Sequence, residues 1–153
     1  MALDDDIRVL AAVKLFRGFT REQLRLMAFG AETITLAAGR KLYAEGAVAD
    51  CAFVIASGTV ALYRQDGDKR TTLSTHGPGT ILGELALIAE SERPTSASAQ
   101  TEMTVIRLSR TMFRRILEEF PETAVELHRR ITADLESMLE RMRAAAERSG
   151  NGK

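Results

Sequence analysis

Cysteine occurs once in this 153-residue chain, at Cys51, and histidine twice, at His76 and His128. A single cysteine excludes an intramolecular disulfide and any thiolate cluster for zinc or iron–sulfur chemistry. Within Asp50-Cys51-Ala52-Phe53-Val54-Ile55 it reads as a small core residue. The two histidines belong to no H-x-H or H-E-x-x-H pattern, and no G-x-S-x-G elbow presents a serine nucleophile, so neither a metal nor an enzymatic function is expected. An excess of either charge is also missing. With 21 Lys+Arg against 21 Asp+Glu, the chain has no broad positive field for direct binding of nucleic acid or anionic membranes. The longest uncharged runs, Cys51 to Tyr63 and Thr71 to Gly83, are 13 residues each and contain Gly, Ser and Thr, too short for a membrane span. The start, Met1-Ala2-Leu3-Asp4-Asp5-Asp6, carries acid where a secretory signal is basic. The composition thus predicts one cytoplasmic domain.

What is present changes period twice. From Asp4 to about Ala28, apolar residues Ile7, Leu10, Ala11, Leu15 and then Leu24, Met27, Ala28 recur at helical spacing, predicting two short helices split by Gly18-Phe19-Thr20. Thr20-Arg21-Glu22-Gln23 is a capping-box pattern that starts the second. Beyond Gly30 come short β-rich runs at Thr33–Leu36, Ala52–Ala56, Thr59–Arg64, Arg70–Ser74 and Met103–Leu108, punctuated by glycines as the corners of a small barrel require. Asp66-Gly67 marks a hairpin between the third and fourth runs. The helical period then returns, with Ser109 as N-cap for Thr111–Glu119 and Pro121 opening a long helix to about Arg148. The expected organisation is an N-terminal helical segment (1–30), a β-roll or jelly roll (31–108), hinge and lid helices (109–148) and a disordered tail (149–153). In the long helix, Ile131, Leu135, Met138, Met142 and Ala145 form a heptad seam, open to packing on the barrel or to self-association. Pairs such as Glu126 and Arg130 make its other face solvated.

The chemistry concentrates between Gly79 and Ser98. Gly83 permits a backbone conformation closed to other residues, and Leu85 to Ile88 reads as one helical turn with outward N–H groups. Such a turn attracts an anion, and Arg93 brings a guanidinium to the same place. Glu84 would repel that anion unless it accepts hydrogen bonds from a neutral polyol part of the same ligand. A sugar joined to a singly charged phosphate points to a nucleotide.

Gly83-Glu84-Leu85-Ala86-Leu87 followed by Arg93-Pro94-Thr95-Ser96-Ala97 resembles the phosphate-binding cassette (about 82–98) of the cyclic nucleotide-binding domain family. Leu15–Thr20 is similar to the family's entry helix, Ala38–Gly46 to its G-x-x-[IL]-[FY]-x-[EQ]-G turn, and Phe53–Val60 to its F-[IV]-[IL]-x-x-G-x-V strand pair. The resemblance implies a mainly β roll with flanking helices. It implies that Glu84 and Gly83 bind the ribose 2′-hydroxyl, that Arg93 binds the cyclic phosphate, and that the amides of Ala86 and of position 94 complete the cradle. Leu82, Leu85 and Thr95 join this ligand-binding set. It also implies that the C-terminal helix closes over the base through Asp134, Leu135 and Met138.

The chain departs from the pattern at three places. Pro94 has no N–H; one missing hydrogen bond to a charged group, worth roughly 1.5–3 kcal/mol, weakens binding by one or two orders of magnitude unless Thr95 or Ser96 replaces it. His76 stands where the family has an apolar residue near the base, either as a base contact or as a plain turn residue. Leu82 replaces an aromatic. The leading expectation is a cyclic-nucleotide sensor, cAMP before cGMP because Pro94 occupies the position of the hydroxyl residue associated with cGMP. It needs no other cofactor, and its partner is a second copy or an effector protein reached through the C-terminal helix. The alternative is a degenerate, non-binding member serving as an interaction or dimerisation domain. An enzyme of the cupin type, a third reading, is opposed by the separated histidines. With no helix-turn-helix, membrane or catalytic segment to follow, the reading is a stand-alone module or a fragment.

Overall fold

The structure is a computed structural model and describes residues 2–151, without the side chains of 2, 142, 145, 146 and 148–151. It opens with α1 (Ala2–Ala11), a 3-10 turn (Lys14–Phe16) and α2 (Arg21–Gly30). The capping box is formed: Gln23 N–H donates to Thr20 Oγ1 (3.1 Å) and Thr20 N–H to Gln23 Oε1 (2.9 Å). Such a cap is worth about 1 kcal/mol.

Ten strands follow among the described residues: β1 (Glu32–Leu36), β2 (Lys41–Tyr43), β3 (Val48–Ala49), β4 (Cys51–Ser57), β5 (Val60–Asp66), β6 (Lys69–His76), β7 (Ile81–Leu82), β8 (Ser91–Glu92), β9 (Ser96–Ala99) and β10 (Met103–Ser109). They build two antiparallel four-stranded sheets, ordered β1-β10-β4-β7 and β2-β9-β5-β6, with β3 and β8 as a separate pair. The five expected strands are all present. The others are two to four residues long and too short to show a period. The β5–β6 hairpin closes at Asp66↔Lys69 around Gly67, whose φ is 62°.

Two cores share the central strands. Cys51, Phe53 and Ile55 of β4 and Met103 and Val105 of β10 face the interior of the roll, whereas Ala52, Val54, Ile106 and Leu108 face the helices. Burial on both faces is why β4 reads as a continuous apolar run without alternation. At the β4–β5 turn a Cβ on Gly58 would overlap the Glu102 carbonyl and lie 2.6 Å from Met103 Cβ, so β10 can cross only over a glycine.

Ser109 caps α3 (Arg110–Glu119), its Oγ accepting from Met112 N–H at 3.2 Å, and Pro121 opens α4 (Pro121–Asn151). Phe16 packs between Phe19 and Phe113, with ring centroids 5.2 and 6.1 Å away. Gln23 Nε2 donates to Thr123 Oγ1 (3.0 Å), joining α2 to α4. The start of α4 is docked by Leu127 and by Ile131, which is 1% exposed. The first position of the expected seam therefore packs within its own domain, Leu135 is half-buried and Met138 exposed. Met142 and Ala145 lie outside the residues whose side chains are described. Helix α4 runs to Asn151, past the expected end near Arg148, and Gly152 and Lys153 lie outside the described residues. Among the described residues, no helix is long and apolar enough to cross a membrane.

Candidate functional site

Strand β7 pairs with β4 through Phe53↔Leu82 and Val54↔Ile81, delivering Gly83 to the mouth of the roll beside Cys51. Gly83 adopts φ 73°, a left-handed conformation that turns the strand into a 3-10 turn at Glu84–Leu87. This turn begins one residue before the expected Leu85–Ile88. Its Ala86 N–H, expected to face outward, donates to the Gly83 carbonyl at 3.0 Å, so the turn itself engages that donor. Leu82 and Ala86 are buried, Glu84 and Leu85 half-buried.

The returning strand is fixed by the β3–β8 pair, Val48↔Glu92 and Ala49↔Ser91. Arg93 N–H donates to the Ala47 carbonyl and Gly46 N–H to the Arg93 carbonyl, both at 2.8 Å. With its backbone clamped on both sides, Arg93 sends its side chain inward and is only 5% exposed. Nη2 donates to the Cys51 carbonyl (2.8 Å) and lies 3.3 Å from Cys51 Sγ. The guanidinium sits over the rings of Tyr43 (4.5 Å) and Phe53 (5.5 Å), which stack on each other at 6.0 Å. Nη1 has no partner among the described residues. A Cβ on Gly83 would overlap Nη1, so this glycine serves the arginine as well as the turn. None of the ion pairs among the described residues includes Arg93. A buried cation with an idle donor and no counter-ion is costly within the free protein and suits an anion brought from outside.

Glu84 carries the complementary signal. Burial pushes its carboxyl above the ordinary carboxylate range; its own backbone N–H works against that shift, and Asp134 of α4 adds to it. Asp134 is exposed, yet its field reaches the cassette, whose 3-10 turn lies against α4. Burial likewise raises the Tyr43 phenol, with Arg93 opposing, and Thr95 is half-buried. Pro94 is exposed, and the neighbouring Ser96 Oγ accepts from Glu45 N–H at 2.9 Å. His76 lies at the end of β6 opposite Val60, on the inward face, with Nε2 3.0 Å from Ser74 Oγ. The fold thus gathers Gly83, Glu84 and Arg93 in one place, with Asp134 in electrostatic reach.

Three residues gained significance only from the structure: Cys51, Tyr43 and Phe53 form the seat of Arg93. Cys51 is a buried core residue, as its sequence context suggests, but its neighbour across the roll is 42 positions away. Arg110 Nη1 also makes long contacts to the carbonyls of Ala49 (3.4 Å) and Ala86 (3.5 Å), bridging the cassette to the start of α3. No local pattern foretells either arrangement.

The cyclic nucleotide-binding domain model matches residues 33–120. A solved cyclic nucleotide-binding-like protein from Brucella abortus is 56% identical, with a TM-score of 0.70 over 75% of this chain and 99% of that one. The cyclic AMP receptor protein of Thermus thermophilus is 30% identical over 114 residues, 74% of this chain and 53% of that protein. A lysophospholipase from Emericella nidulans is 23% identical over 146 residues, 95% of this chain and 10% of the enzyme. The chain therefore spans about half of one of these curated relatives and about a tenth of the other.

Proposed function

The chain belongs to the cyclic nucleotide-binding domain family, and from that premise we propose that it is a cytoplasmic sensor of cAMP, with cGMP the weaker ligand. The observation that carries this reading is Arg93: 5% exposed, without a counter-ion among the described residues, and with Nη1 idle beneath Gly83. A cyclic phosphate monoanion supplies the missing charge and acceptor in a low-dielectric setting, where a charge-assisted hydrogen bond is strongest. Glu84, half-buried beside it, accepts from the ribose 2′-hydroxyl when ionised. Pro94, lacking both N–H and hydroxyl, supports cAMP over cGMP, as does the likeness to a cyclic AMP receptor protein.

Binding is coupled to α4. A nucleotide that touches the cassette and the Asp134, Leu135 and Met138 stretch together favours a closed helix by its differential affinity for the two arrangements. Closure changes what the exposed Met138 and Leu139 offer to a second copy or an effector protein. The ligand is the only small molecule this function requires. The second reading, an interaction domain that keeps the fold without the ligand, is favoured by Pro94 and by the engaged Ala86 amide.

Calorimetric titration of nucleotide-stripped protein with cAMP and then cGMP separates the two. The sensor reading expects micromolar or tighter cAMP binding that is lost in Arg93→Ala. No heat and no thermal shift with either nucleotide would overturn it.

A further inference from the structure

The guanidinium of Arg93 has two unlike ends. Nη1 is idle under Gly83, while Nη2 is held by two acceptors of the same residue, the Cys51 carbonyl at 2.8 Å and Sγ at 3.3 Å. One acceptor would leave the planar group free to pivot about a single hydrogen bond. Two acceptors on one nitrogen fix the plane, and with the plane fixed the direction of Nη1 is set.

The seat that Arg93 touches directly is neutral. It comprises a carbonyl dipole, a thiol and the faces of Tyr43 and Phe53. The thiol is 4% exposed, and burial pushes it above its ordinary pKa, so it accepts from Arg93 without becoming an anion that would cancel the cation. An aspartate here would hold the guanidinium more strongly and remove the charge that draws a ligand.

We propose that Cys51 is the positioning residue for Arg93, its uncharged thiol locking the guanidinium plane so that Nη1 meets the ligand phosphate with its full charge. This rests on the reading that Arg93 binds a cyclic phosphate. It assigns a role in affinity to a side chain that makes no contact with the nucleotide.

Three variants separate positioning from packing. Cys51→Ser keeps a neutral acceptor, and its cAMP affinity stays within about threefold of native. Cys51→Val keeps the volume without an acceptor and loses about tenfold, whereas Cys51→Asp pairs with Arg93 and loses about a hundredfold. Melting temperatures of the nucleotide-free variants do not follow this order, since Cys51→Asp keeps Arg93 paired while binding worst. Where Cys51→Val does not fold, Cys51→Ala takes its place with the same direction. A second readout needs no nucleotide: arginine side-chain ¹⁵N spectra of the free protein show slowed Nη rotation at Arg93 in native and Cys51→Ser, and fast rotation in Cys51→Val. Native protein that binds cAMP alongside Val and Asp variants within about twofold of it overturns the positioning role alone. Native protein that binds no nucleotide overturns the sensor reading, and the spectra then decide positioning; identical Arg93 rotation in native and Cys51→Val rejects it.

Discussion

Arg93 and Arg130 are both held by backbone carbonyls, and they differ in what the fold leaves over. Arg130 on α4 donates Nε to Glu126 Oε1 (3.2 Å) and Nη1 to the carbonyls of Leu15 (3.0 Å) and Arg17. Carboxylate and carbonyls together engage its Nε and Nη1, and the result is a staple from the last helix to the N-terminal 3-10 turn. Arg93 is more deeply buried, pairs with no carboxylate among the described residues and keeps Nη1 idle. A guanidinium paired with a carboxylate and left partly open to water holds a structure together; one buried with an idle donor suits an anion brought from outside.

Exchanging the two losses gives the sharpest test. Arg93→Ala is expected to lower cAMP affinity by at least about a hundredfold, by calorimetry, while the melting temperature of the free protein holds or rises, because an unpaired buried cation is removed. Arg130→Ala should do the reverse: a stability loss of about 1–3 kcal/mol in denaturant unfolding, with a smaller change in cAMP affinity. If both variants lose stability and affinity in the same proportion, the distinction between staple and hook fails.

A third test concerns the acid beside each arginine. The Glu126 carboxyl lies below its ordinary range, first because Arg129 hydrogen-bonds to it, whereas burial raises Glu84. Between the ordinary carboxylate pKa and the raised folded value, folded Glu84 keeps a proton that the unfolded chain has released. Stability therefore falls as pH rises through that window. Glu84→Gln removes this slope: the free variant is more stable than native at pH 7, and the gap closes below the ordinary carboxylate pKa. Its cAMP affinity drops by about tenfold, because the amide replaces a charged acceptor. Thermal melts across pH check the first outcome and calorimetry the second. The smallest effect is expected at Met138, exposed beyond the docked start of α4: Met138→Ala changes stability by no more than about 0.5 kcal/mol, and a larger loss would mean that this turn is already packed in the free protein.

Much of the fold was legible because its causes are local. Thr20 and Gln23 lie three residues apart and cap their own helix, Ser109 does the same for α3, and Pro121 starts α4 where its missing N–H costs nothing. Strand β4 and the first half of β5 showed as apolar runs. The cassette was legible as a motif, with Glu84 and Arg93 named and its 3-10 turn displaced by one residue. The two-residue strands β3, β7 and β8 were not, since pairs that short are defined only by their partners across the sheet. The heptad seam was legible as a pattern open to packing on the barrel or to self-association, and the structure turns its first position, Ile131, into its own domain.

By itself, then, the sequence determined the order of the long elements, their caps and turns, and which two charged residues the cassette carries, because these follow from periodicity and from contacts a few residues apart. Only the tertiary structure decided what those charges experience. The pairing of β4 with β7 and the clamp of β3 on β8 carry Arg93 onto Cys51, 42 residues back along the chain. Desolvation, a shortage of acceptors and the direction of Nη1 are properties of that packed surrounding, and no local stretch of the chain contains them.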